Sequence, residues 1–334
     1  MMSSIINPSI IAISGGVGGS KLALGLANSI NPEKLMIVAN IGDDFKHFGL
    51  HISPDIDTLM YTLSGKSDTD KGWGIAHETW KVMDALEKIG GETWFRLGDM
   101  DLATHLERTR KLQSGESLSN TISYFCRKFG IKSRIIPVSD DKLRTIVKTK
   151  EGDLEFQEYF VKKSCKPIVS GFRFLGAKKA FPNDEFMMAL KNPNLKAVII
   201  CPSNPFISID PILAVNGVRK GLRDCKAPVI AVSPIIADSG IKGPIAKQLK
   251  ELGHKVSVTT IANFYRDFID GFIIDHKDNS YIAEIESLGI MVKVCNILMV
   301  NIQTKIELAQ KVLDFSSKFD KCTNKFHKKS LSCG

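Results

Sequence analysis

Residues 11–22, Ile11-Ala-Ile-Ser-Gly-Gly-Val-Gly-Gly-Ser-Lys-Leu22, decide the fold. An apolar run feeds a four-glycine turn, and a helix-like stretch from Lys21 to Ile30 follows. Strand, glycine loop and helix in that order form a phosphate-binding grammar. Glycines let backbone N–H groups approach an anion, and the helix N-terminus adds partial positive charge. The segment narrowly misses two known patterns. Gly15-x-x-x-x-Ser20-Lys21 carries serine where a P-loop has its second glycine, and Gly16-x-Gly18 meets Lys21 where a dinucleotide fingerprint has glycine or alanine. The loop alone weighs a ligand and a plain strand-to-helix turn about equally.

Working outward, apolar β-branched runs alternate with helix-period segments. Ile11–Ser14 and Leu35–Asn40 read as strands, and Asp57–Ser64 as a helix led by Ser53 and Pro54. Thr79–Ile89, Ala103–Ser114 and Ser119–Phe129 are amphipathic helices. Residues 131–176 change character: Ile135–Val138, Arg144–Thr149, Glu155–Val161 and Phe172–Phe174 predict a small β-rich insertion. The α/β rhythm then resumes. Strands are expected at Ala197–Cys201, Val229–Val232, Val256–Val258 and Gly271–Asp275, and helices at Asp184–Leu190, Pro244–Leu252, Ile261–Phe268 and Lys305–Phe319.

The fold class is therefore α/β, a Rossmann-like three-layer fold with a mostly parallel sheet. One domain is expected over residues 1–320, with its core at about 9–70 and 180–315 and a helical and β insertion at about 71–179. Residues 321–334 read as a basic tail.

Bulk composition narrows the function. The 334 residues are 43% hydrophobic and 24% charged, as in ordinary globular proteins. Apolar runs are strand-sized, far short of a membrane span, and no export signal leads the chain. The seven scattered cysteines form no Cys-x-x-Cys pair, which argues for reduced thiols in a cytoplasm and against a zinc site. The net charge of +9 suits an anionic ligand. Part of that excess is a lysine cluster from Lys318 to Lys329, read as solvated tail; no nucleic-acid motif accompanies it.

In such sheets ligands gather at the carboxyl ends of the strands. The loop after the second strand is Asn40-Ile-Gly-Asp43-Asp44, and Ser53-Pro-Asp55-Ile-Asp57 follows. Four aspartates so close need a counter-charge, and a hard cation such as Mg²⁺ bridging carboxylates and phosphates supplies one. The plainer alternative puts Asp55 in a helix's first turn and Asp43 and Asp44 in a turn. Arg96-Leu-Gly-Asp99-Met-Asp101-Leu-Ala-Thr104-His105 is a second polar knot. Arg96 suits a phosphate or a ring, Asp99 suits the cap of the helix that follows, and His105 reads as structural. Cys201-Pro-Ser203-Asn204-Pro205 and Ser233-Pro-Ile-Ile sit after two further strands, and Lys242-Gly-Pro244 leads into a helix.

Together these motifs resemble the 2-phospho-L-lactate transferase family of coenzyme F420 biosynthesis. Besides the segments above, Tyr61-Thr-Leu, Gly72-Trp-Gly, Pro137-Val-Ser-Asp-Asp, Phe156-Gln-Glu-Tyr-Phe and Ile209-Asp-Pro-Ile-Leu-Ala-Val carry the likeness, which spans about residues 9–313. The resemblance implies transfer of a 2-phospholactyl, or related phosphoenolpyruvyl, group from a guanosine diphosphate ester to the hydroxyl of the deazaflavin Fo, releasing GMP. It also implies Mg²⁺, a homodimer, and contacts of Asp57 and Arg96 with the deazaflavin.

On this reading Asp57 is catalytic and Asp43 and Asp57 hold the metal. Gly15, Gly16, Gly18, Asn40, Asp44, Ser203 and Asn204 join Asp57 and Arg96 in binding substrate. The family usually carries Asp-Thr-Leu-Met where Asn296-Ile-Leu-Met stands here. The alternative is a nucleotide-sugar-binding regulator of the same superfamily that lacks transfer chemistry.

Overall fold

A computed structural model describes residues 7–241 and 243–319. The basic tail at 321–334 and Lys242 lie outside the described residues, so the readings placed on them are not developed.

Seven strands form the central sheet: β1 (Ile10–Ser14), β2 (Leu35–Ala39), β3 (Arg134–Pro137), β4 (Ala197–Ile200), β5 (Val229–Val232), β6 (Gly271–Ile274) and β7 (Met291–Val294). Every pairing is parallel, in the spatial order β7-β6-β5-β4-β1-β2-β3. The five inner strands are buried at every residue. Side chains facing both ways are apolar because helices cover both faces, as parallel sheets require. Of the two edge strands, β3 leaves only Arg134 partly exposed, whereas β7, with the sequence Met-Val-Lys-Val, has no fully buried residue.

The order reverses direction between β1 and β4. The connection from β1 runs outward to β2, whereas β4 begins the other half. A crevice opens there above the strand ends, the switch point at which doubly wound sheets bind ligands. The glycine loop leaves β1 at this point and the Ser203-Asn204 turn leaves β4.

Helix α1 (Gly16–Ser29) begins earlier than its sequence suggests. The four glycines, read as a turn, are its cap and first helical turn: Gly15 is the N-cap and makes no side-chain cap bond. Helix α1 packs against α2 (Pro54–Leu63) and the C-terminal helix Ile302–Ser316. Gly25 lets the last of these approach closely, because a Cβ there would lie 2.2 Å from the Lys305 carbonyl oxygen. Gly25→Ala is expected to cost about 1–3 kcal/mol by forcing the helices apart. Urea unfolding checks this, and an unchanged midpoint would mean that the contact is slack.

Three further helices, α3 (Lys81–Lys88), α4 (Asp99–Gln113) and α5 (Leu118–Lys128), lie where amphipathic spacing put them. The insertion is narrower than expected. β3 pairs with β2 in the main sheet, leaving a three-stranded antiparallel sheet of Arg144–Thr149, Gly152–Glu155 and Val169–Leu175. Glu155–Val161 is not extended throughout: its strand stops at Glu155 and a π-type turn spans Glu158–Lys162. Val256–Val258 is not a strand either. Ser257 caps a helix over Val258–Tyr265, accepting from the Thr260 N–H at 3.2 Å, so the local cap outweighs the β-branched valines. A short hairpin, Phe45–His47 with Leu50–Ile52, was not legible because three-residue strands carry no readable alternation.

No helix among the described residues is long and apolar enough to cross a membrane. All five described cysteines are free thiols.

Candidate active site

A cavity of about 780 Å³ occupies the switch point. Its base is the start of α1, where Gly15, Gly16 and Gly18 line the wall. Two of these positions need glycine. Gly16 has φ +65°, and a Cβ on Gly18 would lie 2.3 Å from the Pro202 carbonyl oxygen. Loop and Pro202 turn are thus in backbone contact, as the convergence of strand-end loops requires.

Ser203 ties these turns together. Its hydroxyl donates to the Gly15 carbonyl at 2.7 Å and accepts from the Gly15 N–H at 3.3 Å. Asn204 caps the following Pro205–Ile209 turn through the Phe206 N–H at 3.0 Å and donates to Gln248 Oε1 at 2.7 Å. Both residues face the cavity.

The aspartates divide into two groups along one wall. On the glycine side, Asn40 Nδ2 donates to Asp43 Oδ1 at 3.1 Å and to Asp55 Oδ2 at 2.9 Å. Asp55 Oδ1 accepts from the Gly16 N–H at 2.7 Å. Burial pushes the Asp43 carboxyl well above its usual range, and Asp55 adds to this by charge repulsion. Burial likewise pushes Asp55 up to about 6. Among the described residues neither carboxylate has an ion-pair partner. Two buried anions facing one cavity without a counter-charge fit a divalent cation. No cluster of three metal-ligating side chains occurs among the described residues.

The second group surrounds Asp57. Arg108, fully buried on α4, grips both carboxylate oxygens: NH1 reaches Oδ2 at 3.0 Å and NH2 pairs with Oδ1. Burial raises the Asp57 carboxyl, and Arg108 and His105 pull it back down. Of the two acids expected to hold a metal, Asp43 shares Asn40 with Asp55, whereas Asp57 is paired with Arg108; all three line the cavity.

Asn40 and Asp44 do not line the cavity. Asn40 stands behind it as the amide that orients both acids, and its own Oδ1 accepts from the Gly42 N–H at 2.7 Å. Asp44 turns away, its Oδ2 accepting from Ser53 Oγ and meeting His51 Nε2, each at 2.9 Å. Asn40 is engaged by protein partners through both its oxygen and its nitrogen, whereas Asp44 Oδ1 is buried with no hydrogen-bond partner among the described residues.

The opposite wall is aromatic and comes partly from the insertion, with Trp73, Phe95 and Phe156. Arg96 lines it too, its guanidinium 5.0 Å above the Trp80 ring and 3.1 Å from Asp84. Asp99 does not cap its own helix. It accepts from Thr79 Oγ1 and from the Lys81 and Val82 N–H groups, capping α3, while Glu78 caps α4 through the Met100 and Asp101 N–H groups at 2.8 and 2.7 Å. This exchange locks the two helices together beside Arg96.

At the rim, Lys21 Nζ donates to the Met299 carbonyl at 3.1 Å, drawing the segment after β7 across the glycine loop. Asn296 accepts from the Leu298 N–H at 3.0 Å, a turn that aspartate would make equally well. The unusual residue therefore changes charge and not shape.

Sequence reasoning named Asp55 and Asp101 only as members of their clusters and Tyr61 only within the likeness, missed Arg108, and took His105 as structural. A signal was present: Asp101, His105 and Arg108 recur at i, i+4 and i+7, a polar stripe along one helix face.

A family model described as 2-phospho-L-lactate transferase CofD matches residues 10–302. The chain belongs to the 2-phospho-L-lactate transferase family. It is 36% identical over 304 residues to the 2-phospho-L-lactate transferase of Methanosarcina acetivorans, covering 91% of this chain and 98% of that protein. It is 34% identical over 311 residues to the phosphoenolpyruvate transferase of Kitasatospora aureofaciens, covering 91% and 96%. A crystal structure of a UPF0052-family protein from Bacillus halodurans shares the fold, with TM-score 0.59 at 13% identity over 92% of this chain and 99% of that one.

Proposed function

We propose that this family member transfers a 2-phospholactyl or phosphoenolpyruvyl group from a guanosine diphosphate ester to the primary hydroxyl of the deazaflavin Fo, with GMP leaving. One observation carries the reading: a single cavity joins a helix N-terminus, two uncompensated buried carboxylates and an aromatic wall. Attack of an alcohol on a phosphoanhydride needs charge neutralisation and in-line placement more than a covalent nucleophile. The start of α1 and the Ser203-Asn204 turn suit the guanylate half of the donor. Mg²⁺ would be held by Asp43 and Asp55 and would neutralise the diphosphate. Trp73, Phe95 and Arg96 suit a flat, electron-poor ring. Asp57, with its ionised form fixed by Arg108, orients the acceptor.

Incubation with Fo, lactyl-diphospho-guanosine and MgCl₂ is expected to yield GMP and the phospholactyl-Fo product, both read by mass spectrometry. Binding of UDP-N-acetylglucosamine without binding of Fo would overturn the reading in favour of a regulator. Relatives are named for both three-carbon acids at similar identity, so the lactyl and enolpyruvyl donors should be offered in competition.

A further inference from the structure

Transfer to an alcohol needs a group that takes the hydroxyl proton, and two of the aspartates lining the cavity, Asp57 and Asp101, differ sharply in their fitness for it. Asp57 has both oxygens engaged by Arg108. Asp101 lies one turn before His105 on α4 and faces the same cavity. Its Oδ1 accepts from the Tyr61 hydroxyl at 2.5 Å and lies 3.2 Å from His105 Nε2. No hydrogen bond from a described residue reaches its Oδ2. Asp101 is also the more open of the two, with 13% of its side chain exposed against 7% for Asp57.

The surroundings hold Asp101 ready. Arg108 NH1 lies 3.2 Å from His105 Nδ1, and a guanidinium only donates, so that nitrogen accepts, while Nε2 faces Asp101. His105 and Tyr61 thus both favour the ionised carboxylate. Burial pushes Asp101 up, but His105 and the Tyr61 hydroxyl outweigh burial and keep the carboxyl below its ordinary range. Its main-chain N–H is fixed by Glu78 at 2.7 Å, which anchors the side chain's origin.

Resting on the transfer reading above, we infer that Asp101 is the catalytic residue that accepts the proton of the acceptor hydroxyl through its free Oδ2, while Asp57 only orients that acceptor. In the step, the acceptor oxygen forms a bond to the phospholactyl phosphorus as its proton passes to Asp101 Oδ2. The bond from that phosphorus to the bridging oxygen breaks, and GMP leaves with the electron pair. Asp101 then returns its proton to solvent. A weakly basic carboxylate suffices, because the proton leaves late in a loose phosphoryl-transfer transition state.

Two variants test the assignment in full-length protein. Asp101→Asn keeps size and the Tyr61 contact but cannot take a proton; kcat is expected to fall at least about 100-fold, with Fo affinity by fluorescence titration within about threefold of wild type. Tyr61→Phe removes one hydrogen bond that stabilises the Asp101 anion. The acid limb of the kcat–pH profile should then move to higher pH by about half a unit or more. The titratable groups facing Asp101 are His105 and Arg108 on its own helix and Asp57 and Tyr61 on α2; the Tyr61 hydroxyl bonds only Asp101 among these acids.

An Asp101→Asn protein retaining a third or more of wild-type kcat, or an unmoved acid limb in Tyr61→Phe, overturns the inference. If Asp101→Asn fails to fold, the Tyr61→Phe profile decides alone. A wild-type protein that forms no product sinks the transfer reading and this inference together, whereas an active wild type with indifferent variants sinks this inference alone.

Discussion

Arg108→Leu is expected to destabilise the protein by about 3–5 kcal/mol, the range for stranding one partner of a buried ion pair. Arg108 is fully buried and Asp57 nearly so, and the guanidinium grips both carboxylate oxygens. Without it, Asp57 must stay charged in a dry wall or take up a proton, and either costs free energy. The double variant Asp57→Leu/Arg108→Leu should recover most of the loss, because removing both charges also removes both desolvation penalties. That recovery separates charge pairing from simple packing, which the double variant would worsen. Urea unfolding of wild type, both single variants and the double variant completes the cycle. A single-variant loss below about 1 kcal/mol, typical of exposed pairs, would mean that water reaches Asp57. Transfer activity should stay low in the double variant, since stability is restored and the orienting carboxylate is not.

The strand-helix grammar of residues 11–22 placed the first strand and its parallel sheet correctly because parallel strands buried on both faces must be continuously apolar. The same rule explains where reading failed. β7 is a half-exposed edge with lysine in it, and the Phe45–His47 hairpin is too short for periodicity. β3 was assigned to the insertion because its neighbours in sequence are insertion strands, whereas its partner β2 lies about a hundred residues upstream. Within the site, glycines and the Ser203-Asn204 turn were legible because their chemistry is local. Pairings were not. Which aspartate meets Arg108 and which shares Asn40 depends on how α2 faces α4 and the glycine loop, and two acids separated by one helical residue gave no sign of pointing to different partners.

Asp43→Asn should make the metal-free protein more stable and the enzyme nearly inactive. The Asp43 carboxyl is raised well above its usual value by burial, then by Asp55, and Asp55 itself is pushed up to about 6 by burial. Near pH 3 both groups are protonated whether the chain is folded or not. As pH climbs from about 4 toward 6, the unfolded chain releases these protons while the folded chain retains them. The folded state then binds more protons, so stability falls with rising pH and levels off above the folded values. Asparagine removes one of the two buried charges and keeps a carbonyl for the Asn40 amide, 3.1 Å away. At pH 7 without divalent ions the variant should unfold at a higher urea midpoint than wild type. Saturating MgCl₂ should raise the thermal midpoint of the wild type at pH 7 and leave it unchanged near pH 4, where the carboxylates are neutral. The variant should lose most of that rise and at least about 100-fold in transfer rate, since the carboxylate it lacks is one that would hold the cation neutralising the diphosphate. A variant less stable than wild type at pH 7 would mean that Asp43 has a counter-charge in the protein itself, and a Mg²⁺ response that survives the substitution would move the cation elsewhere. Stability and activity pull in opposite directions at this residue because two like charges are held together, out of water, for a third charge to bridge.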